Sequence, residues 1–209
     1  MATERVLIEG VEFAAALTLR SDIGLLALHG SREGGTAELA HEVAARTGAS
    51  CLVFTQPAGD PVHIPSHRMS VPTCEALQQF LSHVTLTVSL HGHLRPETPR
   101  AIFLGGANRA AADTLAHSLT LLAPAFESVT DLDHIPPGLR GLGPRNPVNL
   151  TPSGGVQVEL PLSARTQGTR KTPGAPDVPP PTVTAALTAG VQRLTETSAG
   201  PRRGVRRRP

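Results

Sequence analysis

Four residues have types and settings that could do chemistry together. His29 and Glu33 lie in LALHGSREGG, His91 in VSLHGH and Glu159 in GVQVEL. Taken singly, each has an ordinary reading, as a surface or core histidine or a solvated loop acid. The set says more. Two imidazoles and one carboxylate make a His₂Glu group, which holds zinc tetrahedrally and leaves a position open for water. A second glutamate near that water takes its proton and passes it to a leaving amine. Glu159 is the candidate, because a carboxylate flanked by Val158 and Leu160 on a mostly apolar strand is costly unless something uses it. Glycine follows both histidines, so the backbone can turn sharply and come close to a bound group.

These residues are far apart in the chain, so a scaffold must bring them to one edge. Gly24–Leu28 (GLLAL) is a continuous apolar run and predicts a strand buried on both faces. The loop 29–35 follows. Thr36–Arg46 carries Leu39, Ala40, Val43 and Ala44 on one helical face, with Thr36 as the expected cap and Gly48 as the stop. Cys51–Phe54 (CLVF) is the next strand. Strand, helix, strand is the signature of a parallel sheet, whose sites lie beyond the carboxyl ends of its strands. Further along, 56–66 reads as a loop, 74–81 as a helix, 84–90 and 101–104 as strands, and 108–122 as a helix. Residues 134–154 hold five Pro and four Gly and read as a long structured loop. The alternating GVQVEL at 155–160 is a strand. A Pro-rich segment (171–181) precedes a final helix at 182–197 with Val183, Leu187, Val191 and Leu194 on one face. The expectation is one α/β domain over residues 1–197, with a mixed, largely parallel sheet flanked by helices, and a disordered Arg-rich tail at 198–209.

Composition removes several classes. Among 209 residues there are five Phe and no Tyr or Trp, which argues against a platform that stacks single-stranded bases. The net charge of +2 comes from the last twelve residues, which carry five Arg and no acid; the rest has 14 basic and 17 acidic residues, a net charge of −3. No nucleic-acid partner is expected, since the tail alone would offer only nonspecific phosphate contacts. No apolar run is long enough to span a bilayer, and the N-terminus lacks a secretory pattern, so a cytoplasmic protein without membrane contact is expected. Cys51 and Cys74 have no metal-binding spacing and read as reduced, buried thiols. Neither a G-x-S-x-G elbow nor a P-loop occurs.

The ordered motifs resemble those of the poly-γ-glutamate hydrolases, small zinc enzymes with a fold like that of the zinc carboxypeptidases. Three motifs carry the resemblance over roughly residues 20–195. The first is His29-Gly30 with its Gly-rich loop, Glu33, and Gly35-Thr36-Ala37-Glu38 opening a helix. The second is Ser89-Leu90-His91-Gly92, followed by FLGG at 103–106. The third comprises Asn146-Pro147-Val148-Asn149, Gly155-Val156-Gln157-Val158-Glu159 and Arg165. Ser66-His67 corresponds to a Thr/Ser-His pair before the central helix. The resemblance implies that His29, Glu33 and His91 hold zinc and that Glu159 is the general base and acid. The loop from His29 to Glu33 is one residue shorter than the usual family form, which makes Glu38 the alternative third ligand. An amide-bond hydrolase acting on a polyanionic γ-glutamyl peptide is implied, with small N-acyl or γ-glutamyl amides as the alternative substrates. A non-catalytic binding protein on the same fold is the competing reading.

Because the body is net negative, an anionic substrate would need local cations. Arg32, Arg95, Arg145 and Arg165 lie near the motifs, and arginine binds carboxylates through two parallel hydrogen bonds. Arg145, Asn146, Asn149, Arg165 and His93 are the expected substrate contacts, His93 being also a potential partner of His91. Arg95 reads better as a surface ion pair. His63, His83, His117 and His134 have no motif around them and are expected to be structural or surface residues.

Overall fold

Eight segments pair into a single sheet: Ala2–Ile8 (β1), Val11–Thr18 (β2), Ile23–Ala27 (β3), Ser50–Thr55 (β4), Leu86–His93 (β5), Ala101–Gly105 (β6), Glu127–Val129 (β7) and Gly155–Pro161 (β8). The helices are Thr36–Thr47 (α1), Ser66–Met69 (α2), Glu75–His83 (α3), Arg109–Leu122 (α4), Leu162–Arg165 (α5) and Pro181–Ser198 (α6). The computed structural model describes residues 2–57, 59–167 and 177–198. The Arg-rich tail beyond Ser198 and the first part of the Pro-rich segment lie outside the described residues. Among the described residues, no helix is long and apolar enough to cross a membrane.

The strand order is β1-β2-β4-β3-β5-β8-β6-β7. The four central strands β4, β3, β5 and β8 run parallel, so their carboxyl ends share one edge. Both flanks turn antiparallel: β2 against β4 on one side, and β6 against β8 on the other. The sheet is therefore mixed with a parallel centre, as the alternating strand and helix pattern predicts. Every residue of β3 is buried, because both faces of the sheet are covered. Ile23, Leu25 and Ala27 pack with α1, α4 and α6, whereas Leu26 and Leu28 pack with α3 and the β1–β2 hairpin.

Three local features depart from the sequence reading. The sequence reading assigns no element before Gly24, whereas residues 2–18 form the β1–β2 hairpin, whose second strand pairs with the distant β4. Its Glu4 carboxylate accepts the backbone N–H groups of Glu75 and Ala76, which ties the hairpin to the first turn of α3. Strand β5 runs through Gly92 to His93, three residues past its expected end at Leu90, because Gly92 and His93 continue to pair with Leu160 and Pro161. Thr36 is the first helical residue of α1 and not its cap; that position belongs to Gly35, and the Thr36 hydroxyl donates to the Glu33 carbonyl. Gly48 ends α1 in the left-handed conformation, as expected.

Both thiols are buried, as their lack of motif implied. Burial pushes the Cys51 thiol up to about 12 and the Cys74 thiol up to about 11. Neither should react appreciably with a thiol-disulfide reagent at pH 8 in the native protein, and both should react once denatured. Rapid native-state labelling of either, followed by absorbance, would contradict this burial.

Candidate metal centre

The parallel centre of the sheet decides which side chains meet. Leu26 of β3 pairs with Ser89 of β5, and His91 of β5 pairs with Glu159 of β8. His29 follows two residues after the end of β3, at the same edge. Along β5 and β8 the residues alternate. Val88, Leu90, Val156, Val158 and Leu160 enter the apolar core beneath α1, α4 and α6. Ser89, His91, Gln157 and Glu159 point to the other face, and all four are buried.

There His29, Glu33 and His91 converge. The two Nδ1 atoms of His29 and His91 are 3.2 Å apart. Glu33 places Oε1 3.1 Å from His29 Nδ1 and Oε2 3.4 Å from His91 Nδ1. Ligand atoms about 2.0–2.1 Å from a tetrahedral zinc lie roughly 3.3 Å apart, so the two Nδ1 atoms are spaced as a pair of such ligands, and the Glu33 carboxylate reaches one of them with each of its oxygens. The outer contacts fit the same role. His29 Nε2 lies 2.7 Å from the Ile64 carbonyl, which can only accept. The ring's proton therefore sits on Nε2, and Nδ1 is left with a lone pair aimed at the cluster. His91 Nε2 pairs with the Ser89 hydroxyl at 3.0 Å, and the Gly92 N–H donates to Glu33 Oε2 at 3.0 Å. These three side chains could hold a metal ion.

The electrostatics agree. Burial alone would raise the Glu33 carboxyl, but the charge on His91 and its hydrogen bond to Glu33 hold it well below the usual carboxylate range. Burial would lower His91, and the Glu33 carboxylate outweighs that and raises it. Both shifts express the same thing: this spot attracts positive charge. Burial, opposed by His91 and reinforced by Glu33, pushes Glu159 up to about 7, so its carboxyl can both hold and release a proton near neutrality.

A cleft of about 340 Å³ opens over the cluster. His29, Glu33, His91 and Glu159 line it, together with His63, Ser66, His67 and residues of the 137–146 loop. Glu38 is not part of it; its Oε1 accepts the Asp177 N–H, so Glu33 is the carboxylate that meets the histidines. His63, expected from sequence to be a structural or surface residue, packs its ring 4.6 Å from that of His29. With His29 and Glu33 it forms a second candidate metal set whose donor atoms lie within 4.8 Å of one another. Unlike His91, His63 is exposed. Nothing local in the loop 56–66 marks it, since only the folding of that loop over β3 brings it here.

The expected substrate contacts fare differently. Arg145 is exposed and does not line the cleft. Arg165 is buried behind the cluster, where it donates to the Gly34 carbonyl and passes so close to Gly92 that a Cβ there would meet its Nε at 2.6 Å. It therefore braces the ligand loop. His93 turns away, with Nε2 2.9 Å from the Ala101 carbonyl and its ring against Phe103. Asn149 is spent on the loop: its amide donates to the carbonyls of Gly141 and Gly143 and its oxygen accepts the Ala107 N–H. Asn146 lines the cleft, but its amide donates to Gln157. Arg32 is exposed, and Arg95 pairs with Glu97 at the surface as expected. Among the described residues, no Arg or Lys lines the cleft.

The sequence matches the family described as poly-γ-glutamate hydrolase over residues 8–172. The chain belongs to the poly-γ-glutamate hydrolase family. It is accordingly a hydrolase acting on amide bonds. It matches none of the curated proteins. Among solved structures, it is similar to a bacteriophage poly-γ-glutamate hydrolase at 22% identity, with a TM-score of 0.71 over 91% of this chain and 92% of that one. It is also similar to a zinc-free form of YndL at 24% identity, with a TM-score of 0.69 over 89% and 90% of the two chains. A metallo-carboxypeptidase from Burkholderia cenocepacia shares the fold at 10% identity and a TM-score of 0.53, over 94% of this chain and 65% of that one. Poly-γ-glutamate hydrolases and this wider fold thus share the α/β architecture that brings the cluster together here.

The bracing role of Asn149 is testable. Asn149→Ala should cost about 1–2 kcal/mol, because it strands a backbone N–H and two carbonyls of the loop. Urea unfolding measures this, and an unchanged midpoint would mean the loop does not depend on the brace.

Proposed function

We propose that this protein is a zinc-dependent hydrolase of γ-glutamyl amide bonds, with His29, Glu33 and His91 as the metal ligands and Glu159 as the general base and acid. The observation that carries the ligand assignment is the approach of His29 Nδ1 and His91 Nδ1 to 3.2 Å, with Glu33 Oε1 3.1 Å from the first and Oε2 3.4 Å from the second. The alternative set with His63 includes an exposed ring, whereas His91 is buried, which favours His91 as the third ligand. When bound, zinc supplies Lewis-acid chemistry, polarising an amide carbonyl and acidifying water. The chain's own residues do the rest. Gly92 N–H and the Ile64 carbonyl fix the ligands' orientation. Glu159, one strand over from His91, accepts a proton from the attacking water and delivers it to the departing amine. Residues of the 137–146 loop form one side of the cleft.

The family supports a polyanionic poly-glutamate substrate. With no Arg or Lys lining the cleft among the described residues, substrate carboxylates near the scissile bond would be met by neutral donors such as the Ser66 hydroxyl in its lining. Incubating poly-γ-glutamate with the zinc-loaded protein should shorten the polymer on size-exclusion chromatography. An unchanged profile from fully loaded protein would move the substrate to small N-acyl or γ-glutamyl amides. His91→Ala should lose most bound metal, by metal analysis after dialysis, whereas His63→Ala should retain it; the reverse pattern would exchange the two ligands. Glu159→Gln should keep its metal and lose turnover by roughly 10²-fold or more. A wild-type rate for that variant would remove Glu159 from the reaction.

A further inference from the structure

Gln157 lies two residues before Glu159, on the same face of β8, and is buried. Its Nε2 donates to Glu159 Oε1 at 2.9 Å and to the Leu139 carbonyl at 3.3 Å. Its Oε1 accepts from Asn146 Nδ2 at 2.8 Å. Asn146 in turn accepts the Val148 N–H through its Oδ1 at 3.3 Å.

Each end of this relay meets a backbone group of fixed character. The Val148 N–H can only donate, so Asn146 must turn its oxygen there and its amide toward Gln157. The Leu139 carbonyl can only accept, so Gln157 must turn its amide toward Leu139 and Glu159. Neither side chain can flip without setting an oxygen against a carbonyl or an amide against an N–H. The relay therefore arrives at Glu159 with one polarity, as a donor. It occupies Oε1 and leaves Oε2 with no hydrogen bond among the described residues. The loop comes down on this glutamine at Gly141, whose φ is +64° and where a Cβ would meet the Gln157 side chain at 2.7 Å.

We propose that Gln157 is a positioning residue for Glu159, held in one amide orientation by Asn146 and the 137–149 loop, so that Oε1 is anchored and Oε2 is the oxygen that exchanges protons. This rests on the reading of Glu159 as general base and acid. A donor placed on one carboxylate oxygen restricts the carboxylate's rotation and gives the attacking water a fixed acceptor. Asn146 and Gln157 line the cleft beside Glu159 but hydrogen-bond to none of the three proposed ligands, so their loss should act mainly on turnover and not on metal content.

The test uses the full, metal-loaded chain on poly-γ-glutamate. Gln157→Ala should keep its metal content, lower kcat roughly 10- to 100-fold and leave KM within about threefold. In a Glu159→Gln background the same substitution should change the residual rate by less than about twofold, because there is no longer a base to position. Asn146→Asp keeps the oxygen facing Val148 but loses the donor to Gln157; it should lower kcat in the same direction, and it serves if Gln157→Ala does not fold. A wild-type kcat for Gln157→Ala or Asn146→Asp, or an equal fall in kcat with and without Glu159, would overturn the positioning role. Glu159→Gln retaining the full rate would instead overturn the parent reading, so the two failures are distinct.

Discussion

A buried carboxylate lying between two buried imidazoles is the constraint around which the rest of this molecule is arranged. Glu33, His29 and His91 are each less than a tenth exposed, and their facing atoms lie 3.1–3.4 Å apart. Three polar groups crowded in a dry place are costly unless something satisfies them together. Here the satisfaction comes in two shells. The inner one is the mutual arrangement, whose separations suit one metal ion. The outer one is a set of backbone groups and one hydroxyl: Ile64 carbonyl, Gly92 N–H and the Ser89 side chain. Arg165 adds a brace behind the ligand loop through the Gly34 carbonyl. Removal of any one ligand leaves the other two buried without their partner, so the cluster behaves as a unit.

The sheet makes this unit affordable by dividing two strands lengthwise. One face of β5 and β8 is Val and Leu and enters the larger apolar core. The other face is Ser89, His91, Gln157 and Glu159. Because β5 and β8 are parallel neighbours in register, Ser89 stands beside Gln157 and His91 beside Glu159. The polar residues thus come as rungs, and hydrogen bonds satisfy them within the layer without disturbing the apolar side.

The 134–154 loop has a function that its Pro and Gly content alone would not suggest. Asn149 binds two of its carbonyls and the Ala107 N–H, which holds the loop against the end of β6. Asn146 uses the same loop to reach Gln157. Two asparagines whose spacing suggested substrate contacts are instead parts of a rigid wall. The cleft they help to close has no Arg or Lys among its described residues, although the chain is a hydrolase of a family named for a polyanion. Recognition near the reacting bond must then rely on neutral donors, with cations acting at a greater distance if at all.

Much of this architecture was legible in the sequence, because its signals are local. The apolar run at 24–28, the helical face at 36–46 and the alternation at 155–160 each arise from residues that are neighbours in the chain, and periodicity reports them directly. The two His-Gly turns and the lone glutamate on an apolar strand were legible for the same reason, and with them the resemblance to the family. What only the tertiary structure decided is which of these residues meet and which are already spoken for. His63 joined the cleft because its loop sets its ring against His29; Arg145 stayed outside, Arg165 and Asn149 found the backbone of Gly34 and Ala107 far away in sequence, and His93 took the Ala101 carbonyl. Gln157 carried a faint signal, a buried polar residue on the same face as Glu159, but its role needed Asn146 and Leu139 from another segment. A side chain's type is a local property, whereas its hydrogen-bonding partners are set by strand order and loop path, which no window of sequence contains.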